Sequence, residues 1–463
     1  MYNVPADFIN EAKVWEALEQ NKNPEPAKIK EVLAKAAEMK GLNLADVAVL
    51  TGISDPEMLA ELFQTANTVK ETIYGKRLVL FAPLYISNLC ANECLYCAFR
   101  ATNKAIERHA LSQEHIARET EVLINQGHKR ILLVAGESYP KRGFDYVLES
   151  IRTIYGVKNE HGEIRRVNIN VAPLTVDEFK LAKAEGIGTY QIFQETYHRE
   201  TYQKVHVGGK KRDYNWRVWS LHRAMEAGID DVGIGVLFGL FDYRFEILAM
   251  MQHIFELEEK FGVGPHTISV PRMEPATNSD IASHPPFPVS DIDFRKIVAI
   301  LRLAVPYTGI IMSTRETAKM RRDTFALGVS QISAGSKTNP GGYEEDDAIS
   351  GQFSLGDHRP LDEVIRDVAS MGYIPSFCTA CYRLGRTGQD FMDLAKPGDI
   401  RLHCAPNGLS SFKEYLQNYA SPETREIGEE LIRETIAGMS GIAKQRAEKL
   451  VNRVAAGRDD VYC

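Results

Sequence analysis

RLVLFAPLYISNLCANECLYCAF, residues 77–99, opens as an apolar run and closes among three cysteines. Its first eight residues, 77–84, read as a buried strand, because a short continuous apolar run suits a parallel sheet covered on both faces. Seven more runs of this kind follow: RILLVAGE (130–137), RVNINVAP (166–173), TYQIFQET (189–196), DVGIGVLF (231–238), HTISVPR (266–272), GIIMST (309–314) and VSQISAG (329–335). Amphipathic helical stretches such as SQEHIARETEVLINQGH (112–128) and DYNWRVWSLHRAMEAGI (213–229) fill the gaps. Each begins near a capping residue or proline, and most end at glycine. Eight strands alternating with helices is the sequence form of a closed (β/α)8 TIM barrel of the α/β class. A doubly wound open sheet uses the same alternation, since strand order is not written in a sequence.

On either side the pattern changes. Residues 1–75 read as an N-terminal helical cap; NPEPAKIKEVLAKAAEMKG (23–41) has apolar positions at helical spacing, a proline near its start and Gly41 at its end. The barrel is assigned to 76–373, ending with the helical stretch LDEVIRDVASMGY (361–373). Residues 374–463 form a C-terminal extension, read as a loop-rich stretch over 374–412 and then a polar helical tail.

Cys90, Cys94 and Cys97 stand as C-x3-C-x2-C. Three thiolates at that spacing wrap one corner of a four-iron, four-sulfur cluster and leave one iron without a protein ligand. Structural zinc is the alternative, but it favours four ligands in paired knuckles. Barrel enzymes place their chemistry at the C-terminal ends of the strands, and Cys90 opens the loop after the first strand. A second set, Cys378, Cys381 and Cys404, has C-x2-C-x22-C spacing. It follows the eighth helix, and barrel helices run antiparallel to their strands, so this set belongs at the opposite, N-terminal mouth. His266 starts the sixth strand and faces that same mouth as a candidate metal ligand. His403, beside Cys404, is the next candidate, and Cys463 is read as inert.

Other candidates stand at strand ends. Glu137 closes the second strand, Glu195 closes the fourth, and Arg217 lies in the helix that follows; each also has an ordinary reading as half of an ion pair. Asn170 and Gln194 are possible inward-facing side chains. Ser313 and Arg315 follow the seventh strand, where arginine's fork matches a carboxylate, unless Arg315 pairs with Glu316 or Glu137. The loop GGYEEDDAISGQFSLGD (341–357) has hinge glycines and an acidic run, and reads as a lid or as a solvated loop.

Composition excludes several classes. The 463 residues carry a net charge of −7 with no basic stripe, which argues against a nucleic-acid surface. No stretch of 18 apolar residues is present, and MYNVPADFIN has no basic n-region or apolar run, so neither a membrane span nor a signal peptide is expected. Six of the seven cysteines fall into two sets, which favours metal ligation in a reducing cytoplasm over disulfides.

The C-x3-C-x2-C motif with Tyr96 before its last cysteine resembles that of the radical S-adenosylmethionine (SAM) enzymes. The resemblance implies that SAM chelates the open iron of a 4Fe-4S cluster and is cleaved to a 5′-deoxyadenosyl radical. It places Tyr96 against the adenine, Glu137 in VAGE at SAM's ammonium group and Arg217 at its carboxylate. Glu195 is set to bond a ribose hydroxyl or the methionine end. FCTACYRLGRTGQDFM (377–392) and the C-x2-C-x22-C spacing further resemble the tyrosine lyases that mature [FeFe]-hydrogenase; the barrel alone is also similar to 2-iminoacetate synthase of thiamine biosynthesis. The narrower family implies cleavage of L-tyrosine to p-cresol and dehydroglycine, then carbon monoxide and cyanide at a second 4Fe-4S cluster. There an additional iron, bridged by L-cysteine and held by His266, leaves as an Fe(CO)(CN)-cysteine unit for the H-cluster. The expected partners are a reductant such as ferredoxin or flavodoxin and other hydrogenase maturation proteins. A thiazole-pathway 2-iminoacetate synthase and an iron–sulfur carrier are the competing readings.

Overall fold

In the computed structural model, which describes residues 7–140, 142–345 and 350–463, all eight apolar runs form parallel strands. They are β1 Arg77–Ser87, β2 Arg130–Ala135, β3 Arg166–Asn170, β4 Tyr190–Glu195, β5 Val232–Val236, β6 Thr267–Ser269, β7 Gly309–Met312 and β8 Gln331–Ser333. Each pairs with the next in chain order. The last pair decides the architecture: Val79, Leu80 and Phe81 of β1 meet Gln331, Ile332 and Ser333 of β8. The sheet is therefore closed, and the open-sheet alternative falls. Side chains alternate along β1, with Leu78, Leu80, Ala82 and Leu84 fully buried while Phe81, Pro83 and Tyr85 line the lumen.

The expectation of a loop-rich 374–412 is corrected. Ile374–Ser376 forms a ninth strand, β9, paired with Arg77, Leu78 and Val79 of β1. Val79 also pairs with Gln331, so β9 takes the other edge of β1, the edge that β2 occupies only from Ala82 upward. An unpaired edge this deep would leave backbone groups unsatisfied. Helices Ala380–Arg383, Gly388–Ala395 and Arg401–Asn418 follow. A three-residue strand carries no period, and Pro406 within the last helix disguises it.

Among the described residues four helices precede the barrel: Glu11–Gln20, Pro26–Ala37, Leu44–Thr51 and Pro56–Tyr74, all but the second with a side-chain N-cap. Asn43 and Asp46 form a capping box, and Pro26 and Pro56 sit in the first turns of their helices. The cap is bonded to the outer helix Asp291–Ala304 through Lys296 Nζ, which donates to the Thr51 carbonyl at 2.7 Å, and through Leu42 N–H to the Ala304 carbonyl at 3.1 Å. Among the described residues no helix is long and apolar enough to cross a membrane.

Candidate active site and second cysteine centre

The loop leaving β1 is held before it reaches the cysteines. Asn88 donates to the Glu107 carbonyl at 2.7 Å and accepts from His109 N–H at 2.8 Å, and Arg108 spans the Asn88 and Phe99 carbonyls. Glu93–Cys94 then pairs antiparallel with His206–Gly208. Cys94 is buried, and Cys90 and Cys97 are half-buried. All three line one cavity of about 190 Å³ at the C-terminal mouth of the barrel.

Burial pushes the Cys90 thiol up to about 11, with Glu137 adding to it, and raises Cys94 and Cys97 as well. The metal-free thiols are therefore neutral at pH 7, and a metal group would displace their protons. Cys97 Sγ accepts from Phe99 N–H at 3.4 Å and from Gln352 Nε2 at 3.7 Å. N–H donors aimed at sulfur suit thiolates that ligate an iron–sulfur cluster. Among the described residues no three His, Cys, Asp or Glu side chains close on a single ion-sized point; a four-iron cluster spreads its thiolates over separate irons. The donor set fits the cluster.

Beside the cysteines lies a group of two carboxylates and two cations, of which Glu195, Lys211 and Arg217 are buried and Glu137 is half-buried. Arg217 Nη1 lies 2.9 Å from Glu137, whose other oxygen accepts from Asn92 Nδ2 at 2.7 Å. Lys211 Nζ lies 2.7 Å from Glu195 and 4.0 Å from Glu137, and Arg217 lies 3.6 Å from Glu195. Burial opposes the charged form of Glu137, but Arg217 and Lys211 outweigh it and hold the carboxyl below its usual range. These are not surface ion pairs. Glu195 has φ +71°, a left-handed conformation that is costly for a non-glycine residue. Its carbonyl accepts from Leu237 N–H at 2.8 Å, and Glu246 binds Tyr197 N–H at 2.8 Å and the Thr196 hydroxyl behind it. The Tyr96 hydroxyl is fixed to His206 Nε2 at 2.8 Å.

Ser313 and Arg315 line the same cavity. The Arg315 guanidinium lies 3.2 Å from the centroid of the Phe353 ring. No carboxylate comes within 4 Å of it among the described residues: Glu316 pairs with Arg272, and Glu137 with Arg217. Asn170 is in the cavity wall, bonded to the Gln191 carbonyl at 2.6 Å. Gln194 is corrected: Gln191, Phe193 and Glu195 face the lumen, so the two-residue period turns Gln194 to the outer face, where it is buried. The expected lid divides. Residues 346–349 lie outside the described residues, Tyr343 and Glu344 are pinned by their N–H groups to Glu119, and Gln352 and Phe353 form cavity wall.

The second cysteine set follows β9, which pairs with the first residues of β1, whereas Cys90 follows its last. An 11-residue strand separates the two ends by roughly 33 Å. Cys378 Sγ accepts from Ala380 N–H at 3.4 Å, and its carbonyl accepts from Arg130 at 3.2 Å. The Cys381 and Cys404 thiols are coupled to one another. That coupling, with Arg77 and Arg386 nearby, draws Cys404 below the ordinary thiol range to about 6 and leaves the proton on Cys381. The His266 ring packs edge-on to Phe391 at 4.9 Å and Tyr382 at 6.2 Å, and Tyr382 adjoins Cys381. His403 instead lies 3.5 Å from Arg446. Cys463 is half-buried, its N–H bound by Asn407 at 2.8 Å and its carbonyl by Arg386 at 2.8 Å.

Sequence reasoning missed Asn92, Lys211, Gln352 and Phe353. Asn92 lay inside the cysteine loop, but Lys211 is one of three adjacent basic residues, of which only it is buried. Gln352 and Phe353 carried no local signal.

Comparison with known proteins bears on this geometry. The Radical SAM superfamily model matches residues 84–254, and the Biotin and Thiamin Synthesis associated domain matches 269–374. The 2-iminoacetate synthase of Escherichia coli (strain K12) is 32% identical over 359 residues, covering 77% of this chain and 92% of that protein. A crystal structure of HydG, a maturase of the [FeFe]-hydrogenase, is 47% identical with a TM-score of 0.96, covering 99% of this chain and 100% of that one. The HydG of Carboxydothermus hydrogenoformans is 40% identical with a TM-score of 0.84, covering 95% and 97%.

Proposed function

This chain belongs to the radical SAM superfamily, among the HydG-type maturases of [FeFe]-hydrogenase, and from that premise we propose that it is an L-tyrosine lyase that makes diatomic ligands for the hydrogenase. The reaction cleaves the Cα–Cβ bond of L-tyrosine to p-cresol and dehydroglycine. Dehydroglycine becomes carbon monoxide and cyanide at the second cysteine centre, and the product leaves as an Fe(CO)(CN)-cysteine unit for the H-cluster. When bound at the first centre, a 4Fe-4S cluster and SAM supply a hydrogen-abstracting radical.

The residues take these roles. Cys90, Cys94 and Cys97 hold the first cluster, and Tyr96, Glu137, Glu195 and Arg217 receive SAM. A charge-balanced group suits a ligand that carries an ammonium, a carboxylate and a sulfonium, since each can exchange for a like charge without leaving a buried ion alone. Arg315, with no carboxylate partner among the described residues, accepts the tyrosine carboxylate with Ser313 beside it. The closed barrel keeps water from the reacting carbon. Cys378, Cys381 and Cys404 hold the second cluster, and His266 the cargo iron. A small protein reductant of the ferredoxin or flavodoxin class supplies electrons, and other maturation proteins receive the product.

The observation that carries this reading is two three-cysteine sets at opposite mouths of one barrel, each one thiolate short of the four that usually hold a four-iron cluster. The test is anaerobic reconstitution with reductant, SAM, L-tyrosine, iron and L-cysteine, with p-cresol, carbon monoxide and cyanide assayed together. All three products are expected; none at all would refute the substrate. The similarity to 2-iminoacetate synthase favours one alternative, tyrosine cleavage without diatomics. Cresol and glyoxylate alone, from a sample holding both clusters, would establish it.

A further inference from the structure

We infer that Gln352 is a positioning residue for the first cysteine centre, donating its amide N–H to the Cys97 sulfur and so raising the reduction potential of the cluster held there. This rests on the reading that Cys90, Cys94 and Cys97 ligate that cluster. Gln352 Nε2 lies 3.7 Å from Cys97 Sγ, and Gln352 Oε1 accepts from the Tyr85 hydroxyl at 2.8 Å. The orientation of the amide follows from chemistry. A coordinated thiolate only accepts, so the NH2 end must face it, and the carbonyl end then takes the Tyr85 proton.

The backbone around Gln352 is fixed independently of this contact. Its N–H donates to the Thr338 carbonyl at 3.0 Å, its carbonyl accepts from Ala98 N–H at 3.4 Å, and Ser354 N–H donates to the Pro275 carbonyl at 2.9 Å. Three segments thus hold a donor against a sulfur 255 positions away in the chain. Phe99 N–H also reaches Cys97 Sγ, but it belongs to the cysteine loop itself; Gln352 is the donor supplied by another element.

One-electron reduction adds negative charge that spreads onto the cysteine sulfurs. An N–H dipole aimed at one of them stabilises the reduced form more than the oxidised form, so its loss makes reduction harder. The side chain touches a ligand rather than the reacting atoms, so potential and not product yield is the direct readout.

The test is a potentiometric titration of the reconstituted full-length protein, following the EPR signal that changes when SAM is added, with iron and sulfide measured per chain. At the wild-type midpoint, Gln352→Leu is expected to lower the reduced-to-oxidised ratio at least about threefold, or ~28 mV at 59 mV per tenfold. Gln352→Glu lowers it further by placing a carboxylate beside the sulfur. Tyr85→Phe, which frees the amide, shifts it less in the same direction. If Gln352→Leu loads poorly, Gln352→Met removes the same donor at nearly the same length. An unchanged midpoint in the apolar and the Glu variants at full cluster content overturns the inference. A wild-type protein with no SAM-responsive signal defeats the cysteine assignment itself, and the inference with it.

Discussion

The two cysteine sets have the same composition and opposite surroundings. At the C-terminal mouth the thiols are pushed up by burial, and the cations beside them, Lys211 and Arg217, are already paired with Glu195 and Glu137. At the N-terminal mouth Arg77 and Arg130 approach the cysteines with no side-chain carboxylate within 4 Å among the described residues, Arg386 binds the Cys463 oxygen at 2.8 Å, and Cys404 is drawn toward the thiolate. The first mouth is balanced for a ligand of mixed charge. The second carries excess positive charge and suits anionic sulfur, cyanide and a carboxylate.

Breaking each mouth separately gives the largest effects. Cys94→Ala is expected to reduce 5′-deoxyadenosine formation by more than about 100-fold, since losing a ligand exceeds the 10–100-fold typical of an outer contact. Cys378→Ala with Cys381→Ala should leave p-cresol within about twofold while abolishing carbon monoxide; loss of both products together would mean that the mouths do not work independently. Arg315→Gln is expected to raise the KM for L-tyrosine about 10–100-fold with a smaller change in kcat, as a charge-assisted hydrogen bond of roughly 1.5–3 kcal/mol is lost.

Stability sharpens the contrast. Lys211→Met removes the nearer cation of the buried Glu195 carboxylate, leaving it to the more distant Arg217, and should cost about 3 kcal/mol in denaturant titration. Arg77→Met strands no carboxylate among the described residues and should cost only about 1 kcal/mol. Equal costs would contradict the picture of a paired and an unpaired mouth. The smallest effect is in thiol reactivity. With Cys404 lowered to about 6 and Cys90 raised to about 11, iodoacetamide at pH 7 should label Cys404 of the metal-free chain ahead of Cys90, by peptide mass spectrometry. Labelling of Cys404 should fade as the pH falls below about 6, where its thiolate is protonated.

The division between what was legible and what was not follows the range of the interactions. Strand and helix are local, so each apolar run from 77–84 to 329–335 identified its own strand, and the cysteine spacings each fell within a short segment. The same locality explains the failures. Ile374–Ser376 is a strand only because the lower edge of β1 is vacant there, and Gln194 turned outward because the strand period, not its polarity, sets its direction.

The amino-acid sequence by itself determined the alternating architecture, the two cysteine motifs, their assignment to opposite mouths and the family resemblance, because all of these are carried by spacing along the chain. Only the tertiary structure decided that the barrel closes through β8 onto β1 and that Arg315 has no carboxylate partner among the described residues. It alone joined Asn92 to Glu137 across 45 positions and Gln352 to Tyr85 across 267. The reason is physical: burial makes every polar group find a partner, and which partner is nearest is settled when distant segments pack, not by the residues beside it.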